Sequence, residues 1–214
     1  MSVLSTLMRY YPYVFHPIVL VGGGLLLLVH YEWRRRGADR SALVRRLGAF
    51  LGAGVLSLLP TGAYVLVTGQ SPMQVTQGNS WQVDALVASG VLVVCVLLWY
   101  LWRRFDWGRL VPVGAATLAA ATVPYAALSV VWNVSGHVIF AVVPTLFLTL
   151  VDRKFWPLLV VPAVMVPNRV IVNAHTWLQS VGGLLLATAV VVAVYVFERP
   201  DDARPTVGTS GGES

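Results

Sequence analysis

Asp84-Ala-Leu-Val-Ala-Ser-Gly-Val-Leu-Val-Val-Cys-Val-Leu-Leu-Trp-Tyr-Leu-Trp102 decides the fold, because its only charged residue is the first. As an α-helix, at 1.5 Å per residue, the stretch is about 28 Å long, close to the hydrocarbon thickness of a bilayer. Hydrocarbon offers backbone amides no partner, so a segment this apolar closes its own hydrogen bonds as a helix.

Outward from this segment, six more apolar stretches can be drawn, at about 14–31, 47–68, 110–131, 137–151, 157–173 and 176–197. The whole chain agrees: of 214 residues 57% are hydrophobic and 11% charged, and mean hydropathy is +0.74. These values exclude an ordinary soluble domain. The expected fold is all-α, a polytopic transmembrane helix bundle forming one domain over residues 1–197. Residues 198–214, rich in Pro, Gly, Ser and acids, read as a disordered cytoplasmic tail. The fifth and sixth stretches are short, about 23–26 Å as helices, and need a thin bilayer or shelter inside the bundle.

Basic residues set the expected orientation. Arg34, Arg35, Arg36, Arg40, Arg45 and Arg46 follow the first stretch, Arg103, Arg104 and Arg109 the third, Arg153 and Lys154 the fifth, and Arg199 and Arg204 the seventh. That places 13 of 15 basic residues on one side, cytoplasmic by the positive-inside rule. The net charge of +6 is thereby assigned to lipid headgroups and topology, and nucleic acid is not expected as a partner. The N-terminus, the 69–83 loop and the turns 132–136 and 169–175 then lie outside the cytoplasm. The first stretch lacks a basic region ahead of it and a small-residue cleavage pattern before Tyr31, so a retained helix is expected.

Cys95 has no second cysteine to pair with and reads as a packing residue. Gly22-Gly23-Gly24 and Gly182-Gly183 read as close-packing positions between helices. Four scattered histidines and one cysteine give no metal-ligand spacing, and neither a metal nor another cofactor is expected.

On the expected outer side, Ser135-Gly136-His137 opens the fifth stretch, Asn168-Arg169 closes the sixth, and His175 opens the seventh. Backbone N–H groups at helix starts suit phosphate oxygens, and Arg169 adds a bidentate donor. One histidine can attack phosphorus while a second protonates the leaving oxygen. Arg9 and His16 fall on the same side and would add positive charge if the first helix packs near these turns. Asp84 is the one acid near that face.

Val134-Ser135-Gly136-His137 resembles the Pro-Ser-Gly-His motif of the type 2 phosphatidic acid phosphatase family. Asn168-Arg169-x5-His175-x3-Gln179 resembles that family's Ser-Arg-x5-His-x3-Asp motif. The resemblance covers about 110–197. It implies a six-helix lipid-phosphatase-like core over about 47–197, to which the 14–31 helix is an addition. It further implies His175 as nucleophile, His137 as general acid, Ser135, Gly136, Arg169 and Asn168 as phosphate binders, and Gln179 as the residue orienting His175. The implied activity is hydrolysis or transfer of a lipid or isoprenoid phosphate or diphosphate through a phosphohistidine. The alternative is a silent relative that binds a lipid or a partner membrane protein; a further copy of the chain is another possible partner. The chain departs from the family in three ways. No Lys or Arg lies between Arg109 and Arg153, where the family's first motif falls; Gln179 stands for an aspartate; Val134 and Asn168 stand for Pro and Ser.

Overall fold

The computed structural model describes residues 3–70 and 81–198. Its helices are α1 (Val3–Val14), α2 (Pro17–Arg35), α3 (Arg40–Leu56), α4 (Leu59–Thr68), α5 (Trp81–Arg104), α6 (Leu110–Ser129), α7 (Gly136–Val151), a 3-10 helix (Arg153–Leu159), α8 (Val160–Ile171) and α9 (Trp177–Glu198). No strand occurs among the described residues. The expected disordered tail and most of the 69–83 loop lie outside the described residues.

Among the described residues, five segments are long and apolar enough to cross a membrane: 40–68, 81–104, 110–129, 153–171 and 177–198. Counted as one span, the bent pair of α1 and α2 makes a sixth. The chain is therefore an all-α polytopic bundle of integral membrane type. α7 is shorter, 16 residues, and it is the sheltered element: its side chains from Val138 to Val143 are buried. α2, α6, α8, α9 and the 3-10 helix surround it.

Three boundaries differ from the sequence reading. The helix of the 14–31 stretch starts at Pro17, and a separate helix, α1, ends just before it at Val14. A proline at the first helical position has its φ fixed and needs no N–H partner, and it drives the preceding residue out of the helical region. His16 accordingly lies at φ −65°, ψ 144°. The 47–68 stretch begins earlier, at Arg40, where the Asp39 side chain accepts from the Ala42 N–H and starts α3. The 157–173 stretch begins at Arg153 through the 3-10 turn, which lengthens that span to 19 residues.

α2 is integral to the packing. Leu28 and Val29 are buried, and a methyl group on Gly24 would collide with Pro144 of α7. Gly24 thus lets the two helices approach closely, whereas Gly22 and Gly23 face open space. At the basic end, the buried Glu32 carboxylate accepts from Trp102 Nε1 at 3.0 Å, Leu110 N at 2.6 Å and Val111 N at 3.3 Å. It ties α2 to α5 and supplies partners for two of the free amides that open α6.

Candidate active site

The motif end is built from three chain reversals. The first follows α8, where Asn173 takes the left-handed conformation at φ 57°, a conformation that Asn tolerates better than most residues. The Asn173 amide donates to Val170 O at 3.0 Å and the Ala174 amide to Arg169 O at 3.0 Å. This is a Schellman turn. The next amide, that of His175, also donates to Arg169 O, at 3.1 Å. One carbonyl therefore anchors both ends of Arg169-x5-His175, which fixes their separation in space.

The second reversal, Trp132-Asn133-Val134, closes with the Val134 amide on Trp132 O at 2.7 Å. It presents the Asn133 carbonyl to His175 Nδ1 at 3.1 Å. A carbonyl can only accept, so Nδ1 carries the hydrogen and the Nε2 lone pair of the neutral ring is free. Burial lowers the His175 pKa, and the nearby Arg169 charge lowers it further; the Asn133 carbonyl, Asp84 and the Gln179 side chain oppose them.

Gln179 also serves the start of α9. Its Oε1 accepts from the Thr176 amide at 2.9 Å, while Thr176 Oγ1 accepts from the Gln179 amide at 3.3 Å. The pair forms a capping box at the start of α9, so the Asn133 carbonyl holds His175 Nδ1 while the Gln179 side chain also bears on the His175 ring.

The third reversal carries Ser135-Gly136-His137 into α7. The Ser135 amide donates to Gln179 O at 3.3 Å, which fastens the start of α7 to α9. A side chain on Gly136 would meet the Tyr125 hydroxyl, and that hydroxyl donates to Asp84 at 2.7 Å. Gly136 thereby admits Tyr125, and Tyr125 engages Asp84. His137 lies within electrostatic reach of Arg169, His16 and His175, so the expected pair of histidines and the arginine are together at one level of the bundle.

Asn168 departs from its expected role. It is fully buried, and its Nδ2 donates to Met8 O at 2.6 Å. Its amide is committed to α1, a helix that the sequence reading had not drawn. Arg9, in the same helix, is exposed.

Several polar atoms here are enclosed and have no hydrogen-bond partner among the described residues: Ser135 Oγ, Ser180 Oγ, Asn168 Oδ1 and Arg169 Nε. Unpaired buried groups are costly, and four of them gather at this end of the bundle. Ser180, Tyr125 and Asn133 escaped the sequence reading. Asn133 acts through its backbone, which no residue pattern announces. Ser180 is a hydroxyl in the first turns of an apolar helix and was open to notice. Comparison of the chain with protein-family models, with curated proteins and with solved structures finds no match; the case for chemistry therefore rests on the residues themselves.

Proposed function

We propose that the protein is an integral membrane phosphatase or phosphotransferase acting on a lipid or isoprenoid phosphate or diphosphate. The observation that carries this reading is His175, held by the Asn133 carbonyl in the tautomer that frees Nε2, beside His137 and Arg169.

In the reaction, the His175 Nε2 lone pair attacks phosphorus and the bond to the leaving oxygen breaks. The electron pair goes to that oxygen, which takes a proton from His137. Water, or an acceptor hydroxyl in a transfer, then attacks the phosphoramidate and gives its proton to His137, restoring His175. Arg169, Ser135 Oγ and the first amides of α7 hold the phosphoryl oxygens. A bound dianion supplies the countercharge that three neighbouring basic side chains otherwise lack, and it favours a protonated His137.

The site faces away from the cytoplasm in this reading, because Arg34, Arg103, Arg153 and their neighbours gather at the opposite end. An acyl or prenyl chain leaves the site laterally into the bilayer. A second reading, a relative that holds a phosphate lipid or a partner membrane protein without turnover, draws on one observation. A neutral carbonyl backs His175 where a carboxylate would stabilise an imidazolium.

The test is phosphate release by detergent-purified protein from a panel of lipid and isoprenoid phosphates, with EDTA present. Release that His175→Ala abolishes supports the enzyme; no release from well-folded protein favours the silent relative.

A further inference from the structure

α1 and the bend after it hold no residue of either motif, yet they close over the motif end. Tyr11 Oη donates to Val161 O at 3.0 Å, and Asn168 Nδ2 donates to Met8 O at 2.6 Å, so α1 is pinned to α8 in both directions. α2 leaves α1 at 53°, and His16 stands at the apex. Its ring meets that of His137 edge to face, with centroids 5.7 Å apart and planes at 86°.

The hydrogen bonding of His16 defines which edge of its ring is free. Nδ1 accepts from the Ile18 amide at 3.3 Å. An amide N–H can only donate, so Nδ1 carries the lone pair and the hydrogen of the neutral ring sits on Nε2. That N–H has no acceptor among the described residues. His16 and His175 are thus held in opposite tautomers by two backbone groups, one presenting a donor and the other a lone pair. The connection before Ser135 supplies no Lys or Arg, which leaves this side of the site short of a donor for an anion.

On the reading of the motif end as a phosphate site, we infer that His16 is a further phosphate-binding residue, donating from Nε2 to a terminal phosphate oxygen held beside His137. The ligand chemistry is a terminal phosphate, lipid-borne or free. The donor is the Nε2–H of the neutral ring, and the negative charge of the phosphate makes the hydrogen bond charge-assisted.

The test separates this role from helix capping. His16→Asn keeps a good acceptor for the start of α2 but is too short to keep the Nε2 donor. His16→Gln restores an N–H near the Nε2 position while weakening the cap. Dissociation constants of the full-length, detergent-purified protein are measured for inorganic phosphate and for phosphatidic acid in mixed micelles, with the thermal midpoint of each variant. The expected result is a wild-type midpoint and about tenfold weaker binding for His16→Asn, with His16→Gln within about threefold of wild type. Loss with phosphatidic acid alone assigns the donor to a lipid headgroup; loss with both ligands assigns it to phosphate oxygens from either source. Wild-type affinity in His16→Asn overturns the inference and leaves the phosphate site standing. A wild-type protein that binds neither ligand overturns the site and the inference together.

Discussion

The two ends of the bundle both bury charge, and they treat it oppositely. At the basic end, Glu32 has three donors around its carboxylate, and the buried Arg46 guanidinium, although two of its nitrogens lack hydrogen bonds, is attracted to the Glu32 charge. At the motif end, Arg169 has no carboxylate beside it among the described residues, the nearby acid Asp84 accepts from Tyr125, and serine and asparagine oxygens lie enclosed without partners. A carboxylate that the fold supplies with three donors serves as a clamp. In the function proposed above, the cluster at the motif end is completed by an anionic ligand.

Breaking each end should therefore produce a different loss. The largest effect falls on chemistry: His175→Ala lowers turnover by at least about 10⁴-fold, with the protein still folded. Phosphate release and size-exclusion profiles read the two properties separately. Glu32→Ala does the reverse. It strands the Trp102, Leu110 and Val111 donors and costs about 3 kcal/mol in unfolding experiments, while the folded fraction keeps wild-type turnover. Arg169→Lys retains the charge but loses the planar donor pair, and kcat/KM falls roughly 10²-fold. Ser135→Ala gives the smallest change in stability, within about 0.5 kcal/mol, because its hydroxyl has no partner to lose. A large destabilisation by Ser135→Ala would erase the contrast between the ends.

The pH response sharpens the same contrast. Burial and the Arg169 charge hold the His175 pKa below the usual histidine value near 6.5. His175 stays neutral as pH falls through that value, so the acid limb of kcat/KM lies below pH 6.5. Replacing Arg169 with Gln removes one of the two causes and moves the limb upward. For stability the sign is the same. The unfolded chain takes up the proton first, so the contribution of this histidine is full above the unfolded pKa and is lost as pH falls below it.

Much of the fold was legible because hydropathy alone specifies helices in a bilayer: the 84–102 and 176–197 stretches differ from α5 and α9 by only a few residues. The break at His16-Pro17 was also written in the sequence, since a proline at a first helical position is a start signal. It was overridden by reading 14–31 as one apolar run. Arg40 and Arg46 masked the start of α3, because a basic residue in a membrane-edge helix reads as a boundary until Asp39 is recognised as its cap. Within the site, His137, Arg169 and His175 were found from spacing. Asn133 was not, because a carbonyl belongs to every residue and only the turn decides where it points. From their positions in the motifs, Gln179 was expected to orient His175 and Asn168 to bind the ligand; in the structure Gln179 also caps α9, and Asn168 Nδ2 is given to α1.

The central claim is that the lone pair freed on His175 Nε2 attacks phosphorus, and trapping the intermediate tests it most directly. Purified protein is mixed with a substrate from the panel, quenched in alkaline denaturant, where phosphohistidine survives, and its peptides are mapped by mass spectrometry. The account predicts one added phosphoryl group on His175 in the wild type and none in His175→Ala. A phosphoryl group on His137, or turnover with His175 unmodified at every quench time, would contradict it.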